Sequence, residues 1–388
     1  MVKMIINRFK DTKNELIIRH NNRYEIFKEY GEYLKNGNYK INRTNKFCFW
    51  NGSKNARNFL KNPKNVFKGQ SIYRKTRNSF FVINFLHRIV IYPIKLMALR
   101  LIDVYVISKY NGYEVNTETK KFHGDLLMIL NEGDHIKIFD FDQNEVVTLF
   151  KNEKKFNNSV KVNEIIGRSF DTLIKDVDKK EKIIIEDIAN YKALPDWSEA
   201  ETLQIVKELL NNFVSFSNHL DEDSLSTQTT KDILQSFEKL TLDESMKRDI
   251  LVGLLDNHLY DSWPVIHFAG DFQFKNMLYT NDGIKNIDFE YLYTGSFLNV
   301  IMSILFQNLV HESKIFVLEA YFEGQFDVEL NLIFEHFSRN FYEQNKDYYV
   351  TLYILSLLHT SEDAFYKLWT MVYPLIKHYR TLSSINPL

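Results

Sequence analysis

Asp271, Asn276 and Asp288 fall within the stretch HFAGDFQFKNMLYTNDGIKNIDFEYL, residues 267–292. One carboxylate on a loop, an amide shortly after it and a second carboxylate returning on a strand make a recognisable set. They are the groups needed to hold a magnesium-bound nucleoside triphosphate beside an acceptor hydroxyl. Residues 277–280 and 284–289 read as short β-strands, and Asn281-Asp282-Gly283 between them is a turn signal that tolerates positive φ. A tight hairpin centred on Asp282 places Asn276 opposite Asp288, with Cβ atoms about 5 Å apart. Their oxygens then suit Mg²⁺, which takes oxygen ligands at about 2.1 Å and keeps other positions for phosphate and water. Asp271 lies outside the hairpin, at the mouth of the loop, where it can face the acceptor. Asp, Asn and Gly are also ordinary turn formers. The preceding Gly270, the returning Asp288 and the apolar strands on both sides favour the functional reading.

The same stretch resembles the catalytic core of the protein-kinase-like small-molecule kinases, which include aminoglycoside phosphotransferases and choline and ethanolamine kinases. Their pattern is roughly His-Gly-Asp-x4-Asn, then Ile-Asp-Phe/Tyr-Glu. Here the matching residues are Gly270-Asp271, Asn276 and Ile287-Asp288-Phe289-Glu290-Tyr291, the last five being most similar to the choline kinase branch. Ala269 stands where the family often has His, His267 is out of register, and Asn299 stands where a later acidic residue is common.

The resemblance implies an α+β, bilobal protein-kinase-like fold. A small antiparallel β N-lobe would span 123–188. A mainly helical C-lobe over 189–388 would carry the catalytic loop and the metal-binding hairpin. A basic N-terminal extension, 1–122, would precede both. The implied activity is ATP-dependent transfer of phosphate to an alcohol, with Mg²⁺ and ATP as cofactors. Asp271 would orient the acceptor hydroxyl and accept its proton, while Asn276 and Asp288 would hold the metal. Glu290 lies two residues beyond Asp288, so on the same strand face, and would contact either the metal or the groups that hold it.

Short β-rich runs mark the N-lobe: DLLMIL (125–130), HIKIFDF (135–141) and EVVTLF (145–150). Gly133, in the turn NEGD, falls where a loop would cover the nucleotide. On the third strand a kinase has Lys, reaching the α- and β-phosphates and pairing with a helix Glu. Thr148 occupies that place here. Lys137 on the preceding strand, or Lys151 and Lys154 just beyond, are the alternative cations. Glu164 is the nearest candidate for the helix Glu, unless it is a solvated helix residue. The run KIIIEDIAN (182–190) reads as a buried strand and hinge, in which Glu186, Asp187 and Ile188 would offer backbone groups to adenine. The cofactor-binding candidates are therefore Gly133, Lys137, Lys151, Glu186 and Ile188. Past the hinge, Ser198 and Glu201 form a capping box. It opens a helix whose apolar stripe is Leu203, Val206, Leu210, Phe213 and Val214.

A chain of 388 residues is long enough for two or three cores, and 45% apolar with 26% charged residues is ordinary for a soluble globular protein. The single cysteine, Cys48, excludes an intramolecular disulfide and favours a reducing compartment. The first residues lack the apolar core of a signal peptide, so a cytoplasmic location is expected.

Charge is segregated. Residues 1–100 hold 22 Lys and Arg against 5 Asp and Glu, and the remainder holds 27 against 45. The basic segment suggests an anionic counterpart: a lipid surface, nucleic acid, or the acidic body of the same chain. The apolar stretch 80–107 fits either an interfacial helix beside anionic lipid or a helix packed on the body. The expected partners are a nucleoside triphosphate and a small hydroxyl acceptor, with an anionic membrane surface met through residues 33–107. Aromatic residues among the basic ones (Phe47, Phe49, Trp50, Phe59, Phe67) read as the core of a small helical unit, and nucleic acid is not an expected partner. The acceptor is a choline- or ethanolamine-like alcohol, or a sugar or alcohol of a cell-envelope glycan or lipid. The alternative is a kinase-shaped pseudoenzyme acting as a binding or scaffold module, to which Thr148 and Ala269 point.

Overall fold

Alternation of apolar and polar residues builds the first sheet. A computed structural model describes residues 39–41, 47–50, 54–55, 124–130, 135–192, 194–221, 225–232, 258, 261–270, 272, 274–287, 291–312, 315–356 and 362–385. Gly133, Asp271, Asp288 and Glu290 lie outside the described residues, as do most of residues 33–107. The chain divides into two compact units, Met1–Phe156 with Ile174–Ile188, and Asn157–Leu173 with Ala189–Leu388. Residues on both sides of position 122 thus contribute to the first unit.

In the first unit seven strands form one antiparallel sheet: β1 (Tyr39–Ile41), β2 (Phe47–Trp50), β3 (Leu126–Leu130), β4 (His135–Asp140), β5 (Glu145–Phe150), β6 (Ile174–Asp178) and β7 (Ile183–Asp187). Their spatial order is β1-β2-β3-β4-β5-β7-β6. The register aligns Leu127 with Ile138 and Ile138 with Val147. Because side chains alternate, these residues and Ile136, Leu149 and Ile183 share one face, and all six are buried. The other face carries Lys137, Phe139, Val146, Thr148 and Glu186 in mutual register. The β4–β5 turn closes on Asp140, whose Oδ1 accepts from the amides of Asp142 and Gln143 at 3.0 Å. Asn144 takes the left-handed conformation there, with φ 58°.

Phe47, Phe49 and Trp50 belong to β2, which pairs with the edge of β3. The small helical unit expected around them is corrected at this point. Their aromatic character suits a strand, and β3 offered an edge for FCFW to pair with.

Helix α1 (Glu153–Ile166) follows β5, its first turn capped by Asn152, whose Oδ1 accepts from the Lys155 amide at 3.2 Å. In the second unit, α2 (Glu199–Ser217) opens on the expected capping box. Its buried stripe runs through Ile205, Val206, Leu209, Leu210, Phe213 and Phe216, while Leu203 and Val214 are only partly buried. Around it stand α3 (Phe297–Glu312), α4 (Ile315–Phe322), α5 (Asp327–His336), α6 (Lys346–Ser356) and α7 (Glu362–Ile385). A three-stranded sheet orders β8 (Thr227–Thr229), β9 (Ser262–Ala269) and β12 (Leu292–Ser296) as β12-β9-β8, and β10 (Met277–Thr280) with β11 (Gly283–Asn286) forms a separate hairpin. Phe268 on β9 packs edge-on against Phe170, Phe213, Phe216 and Phe272 at 5.1 to 5.6 Å between ring centres. This aromatic cluster fixes the end of β9, and the candidate catalytic loop begins two residues later. Among the described residues no helix is long and apolar enough to cross a membrane.

Candidate active site

The hairpin β10–β11 forms where the turn signal stood, but in a different register. Thr280 pairs with Gly283 and Met277 with Asn286, so the loop is the two residues Asn281 and Asp282. Continuing that register sets Asn276 against Ile287, and the Ile287 amide donates to the Asn276 carbonyl at 2.9 Å. The expected direct opposition of Asn276 and Asp288 is therefore corrected by one residue. The physical cause is the turn. Thr280 Oγ1 accepts from the Asp282 amide at 3.1 Å and donates to the Gly283 carbonyl at 2.8 Å, which closes a two-residue loop. Gly283, at φ 98°, sits where a Cβ would be strained and would press on Glu208 of α2. The Glu208 carboxylate accepts from the Ile284 amide at 3.2 Å, tying the hairpin to that helix.

Two backbone bonds bracket the chemistry-bearing residues. At one end the Gly270 amide donates to the Tyr291 carbonyl at 2.8 Å, extending the β9–β12 ladder by one step past Ala269 and Leu292. At the other end stands the Ile287–Asn276 bond. Asp271 follows Gly270 directly, and Asp288, Phe289 and Glu290 are the three residues between Ile287 and Tyr291 in the sequence. A Cβ at Gly270 would come within 3.1 Å of the Tyr291 Cβ, so glycine permits this close approach. Asn276 itself closes the short helical turn Phe274–Asn276 and is 6% exposed.

On the first unit, three expected or suspected residues meet. Lys137 and Thr148 are direct cross-strand partners. Lys137 Nζ lies 3.4 Å from Glu186 Oε2, and Thr148 Oγ1 donates to the same oxygen at 3.3 Å. The Lys137 and Glu186 side chains are 15% and 11% exposed. Glu186 was expected to line a hinge with its backbone. It sits inside the sheet, between Val146 of β5 and Ile174 of β6, and its side chain lies on the face that carries Lys137 and Thr148. The signal for this was the period of two, which puts Glu186 on the face of Thr148 and Lys137. Ile188 follows the strand. Its amide donates to the Asn144 carbonyl at 3.0 Å and its carbonyl accepts from Asn144 Nδ2 at 3.3 Å. Lys151 is exposed at the bend after β5, and Glu164 is exposed on α1.

The segment after the first unit is fixed to the hairpin. The Lys192 amide donates to the Tyr279 carbonyl at 2.7 Å, and Trp197 Nε1 donates to the Lys192 carbonyl at 2.9 Å. Lys192 Nζ also bonds both Glu201 oxygens, at 2.6 and 2.8 Å. That bond, with the amide and hydroxyl of Ser198, draws the Glu201 carboxyl down from its ordinary 4.5 to about 2. A depressed carboxyl stabilises the fold above its unfolded value and loses that contribution as pH falls through the folded one. The melting temperature of the native chain should therefore fall more steeply between about pH 4.5 and about pH 2 than that of Glu201→Gln. Thermal melts of both across that range check it. Parallel curves would show that the bond is absent in solution.

Asn299, where the resembled family is often acidic, is buried and hydrogen-bonds Tyr293, opposing the upward push of burial on that phenol. The Tyr293 ring folds over Gly295, where any Cβ would collide with it. His267 is exposed and bonds Thr294 across the ladder at 2.8 Å.

No protein-family model matches the sequence, and no curated protein matches it. Among solved structures the fold is similar to a choline/ethanolamine kinase family protein from Mesorhizobium loti, with a TM-score of 0.32 and 12% identity over 68% of this chain and 81% of that one. A macrolide 2'-phosphotransferase from Brachybacterium faecium gives a TM-score of 0.39 and 11% identity over 66% of this chain and 88% of that one. An aminoglycoside phosphotransferase from Alicyclobacillus acidocaldarius gives 0.33 and 11% over 66% and 91%. Overlaps of this size carry no weight for function, which rests on the residues.

Proposed function

We propose that this chain is an ATP-dependent phosphotransferase acting on the hydroxyl of a small molecule. What supports the reading is the pair of backbone bonds formed by the residues that flank Asp271, Asp288 and Glu290 in the sequence: the Gly270 amide to the Tyr291 carbonyl, and the Ile287 amide to the Asn276 carbonyl. Asp271 orients the acceptor hydroxyl and takes its proton. Asn276, Asp288 and Glu290 supply amide and carboxylate oxygens, the hard donor set that suits Mg²⁺. The ion would neutralise charge on the phosphates when bound. Gly133, Lys137, Lys151, Glu186 and Ile188 are assigned to the nucleotide. Little covalent chemistry is asked of the protein, so positioning and charge neutralisation carry the rate. The acceptor is assigned to the alcohol class, either a choline- or ethanolamine-like alcohol or a sugar or alcohol of an envelope glycan or lipid.

The test is transfer of labelled γ-phosphate from ATP, with Mg²⁺, to a panel of hydroxyl compounds that spans both acceptor groups. Labelled product with at least one acceptor is the expected result. Nucleotide binding without transfer to any of them would favour the scaffold reading, for which Thr148 is the motivating residue. Absence of nucleotide binding with and without Mg²⁺ would overturn the proposal.

A further inference from the structure

Resting on the phosphotransferase reading, we infer that Glu186 and Thr148 are positioning residues that hold Lys137 as the phosphate-facing cation. The cation has moved one strand across the sheet, from the place of Thr148 to the residue directly opposite it.

The geometry behind this lies within one sheet. Lys137 and Thr148 are paired in register, so their Cβ atoms are about 5 Å apart and project on the same face. A lysine stem reaches farther than that separation, so an ammonium launched from either position can serve one neighbourhood. Glu186 stands two residues along β7 from Ile184, the partner of Thr148, and therefore shares their face. Its Oε2 receives both the ammonium and the hydroxyl, at 3.4 and 3.3 Å. Thr148 is short enough to leave room for the lysine and still donates, which anchors the carboxylate from a second direction.

The fold alone does not select such a trio. The opposite face of the sheet is Leu127, Ile136, Ile138, Val147, Leu149 and Ile183. A buried ion pair contributes little net stability compared with apolar side chains of similar volume. The other basic candidates lie off the face that carries Thr148 and Glu186. Lys151 lies on an exposed bend past the end of β5, and Lys154 on the exposed start of α1.

The test compares the native chain, Lys137→Thr, Glu186→Gln and the exchange variant Lys137→Thr/Thr148→Lys. Affinities for ATP and for adenosine are measured by titration calorimetry without acceptor, beside phosphate transfer and a thermal melt of each chain. The ratio of the two affinities reads the phosphate contacts and is insensitive to a general loosening of the site. A charge-assisted bond of this kind is worth about tenfold to a hundredfold. Lys137→Thr should lose that factor from ATP and leave adenosine binding unchanged. The exchange variant should regain the ratio to within about threefold, because the ammonium returns to the same face beside Glu186. Glu186→Gln should lower the ratio, with the lysine present but unheld.

A ratio unchanged in Lys137→Thr would overturn the assignment of Lys137. Failure of the exchange to restore it, or no effect of Glu186→Gln, would overturn the roles of Glu186 and Thr148. Should Lys137→Thr not fold, the exchange variant decides alone, since it keeps the same side chains on the same face. A native chain that binds ATP while these arms fail leaves the phosphotransferase reading standing. A native chain that binds neither ligand removes both.

Discussion

Asp288→Asn is expected to remove phosphate transfer, by on the order of 10³-fold. A metal ion at phosphate is worth several kcal/mol of transition-state stabilisation, and 1.36 kcal/mol corresponds to a factor of ten. Asn has the shape of Asp and keeps one oxygen, so the substitution changes a single charge. Loss of metal affinity predicts a second signature. Transfer by the variant should demand a higher Mg²⁺ concentration than transfer by the native chain, and the shift should be visible in a Mg²⁺ titration at saturating ATP. The corrected hairpin register sharpens this expectation. Ile287 takes the place opposite Asn276, and Asp288 is the next residue in the sequence. Its carboxylate is assigned to the span that also contains Glu290, and Glu290→Gln should give a smaller loss in the same titration. Native rates in Asp288→Asn at all Mg²⁺ concentrations would remove the basis for the phosphotransferase assignment.

The parts of the site that were legible in the sequence are those set by local chemistry. The turn residues 281–283 announced a hairpin, Ser198 and Glu201 announced a cap, and both form. The register error of one residue arose because a turn signal of three residues is compatible with a loop of two or three. The side chain of Thr280 decides between them, and side-chain closure of this kind leaves no mark on composition. Pairing between distant segments was less legible. Nothing local in FCFW says that its partner is Leu126–Met128, because a strand needs an edge and the edge belongs to residues far along the chain. Glu186 illustrates the same limit at the site. Its position after three isoleucines marked a strand end, whereas its role depends on Lys137 and Thr148, brought beside it by two separate ladders. A vacant lysine position on one strand becomes informative once the register shows which residue lies across from it.

Asp271→Ala should separate binding from chemistry. The residue directly follows Gly270, whose amide is held by Tyr291, and it precedes the turn that ends at Asn276. In the role proposed for it, orienting the acceptor hydroxyl and accepting its proton, it would act on the transfer step and leave the nucleotide contacts to other residues. General-base catalysis by a positioned side chain contributes about 10² to 10⁴-fold. The variant should therefore bind ATP with Mg²⁺ within about threefold of the native affinity and transfer phosphate slower by about that factor. The ATP KM should be nearly unchanged, because removing an interaction made only in the transition state lowers kcat and kcat/KM together. Single-turnover transfer beside equilibrium nucleotide binding measures the two effects independently. Loss of nucleotide binding with no separate loss of rate would place Asp271 among the nucleotide or metal contacts, and the proton would then need another acceptor.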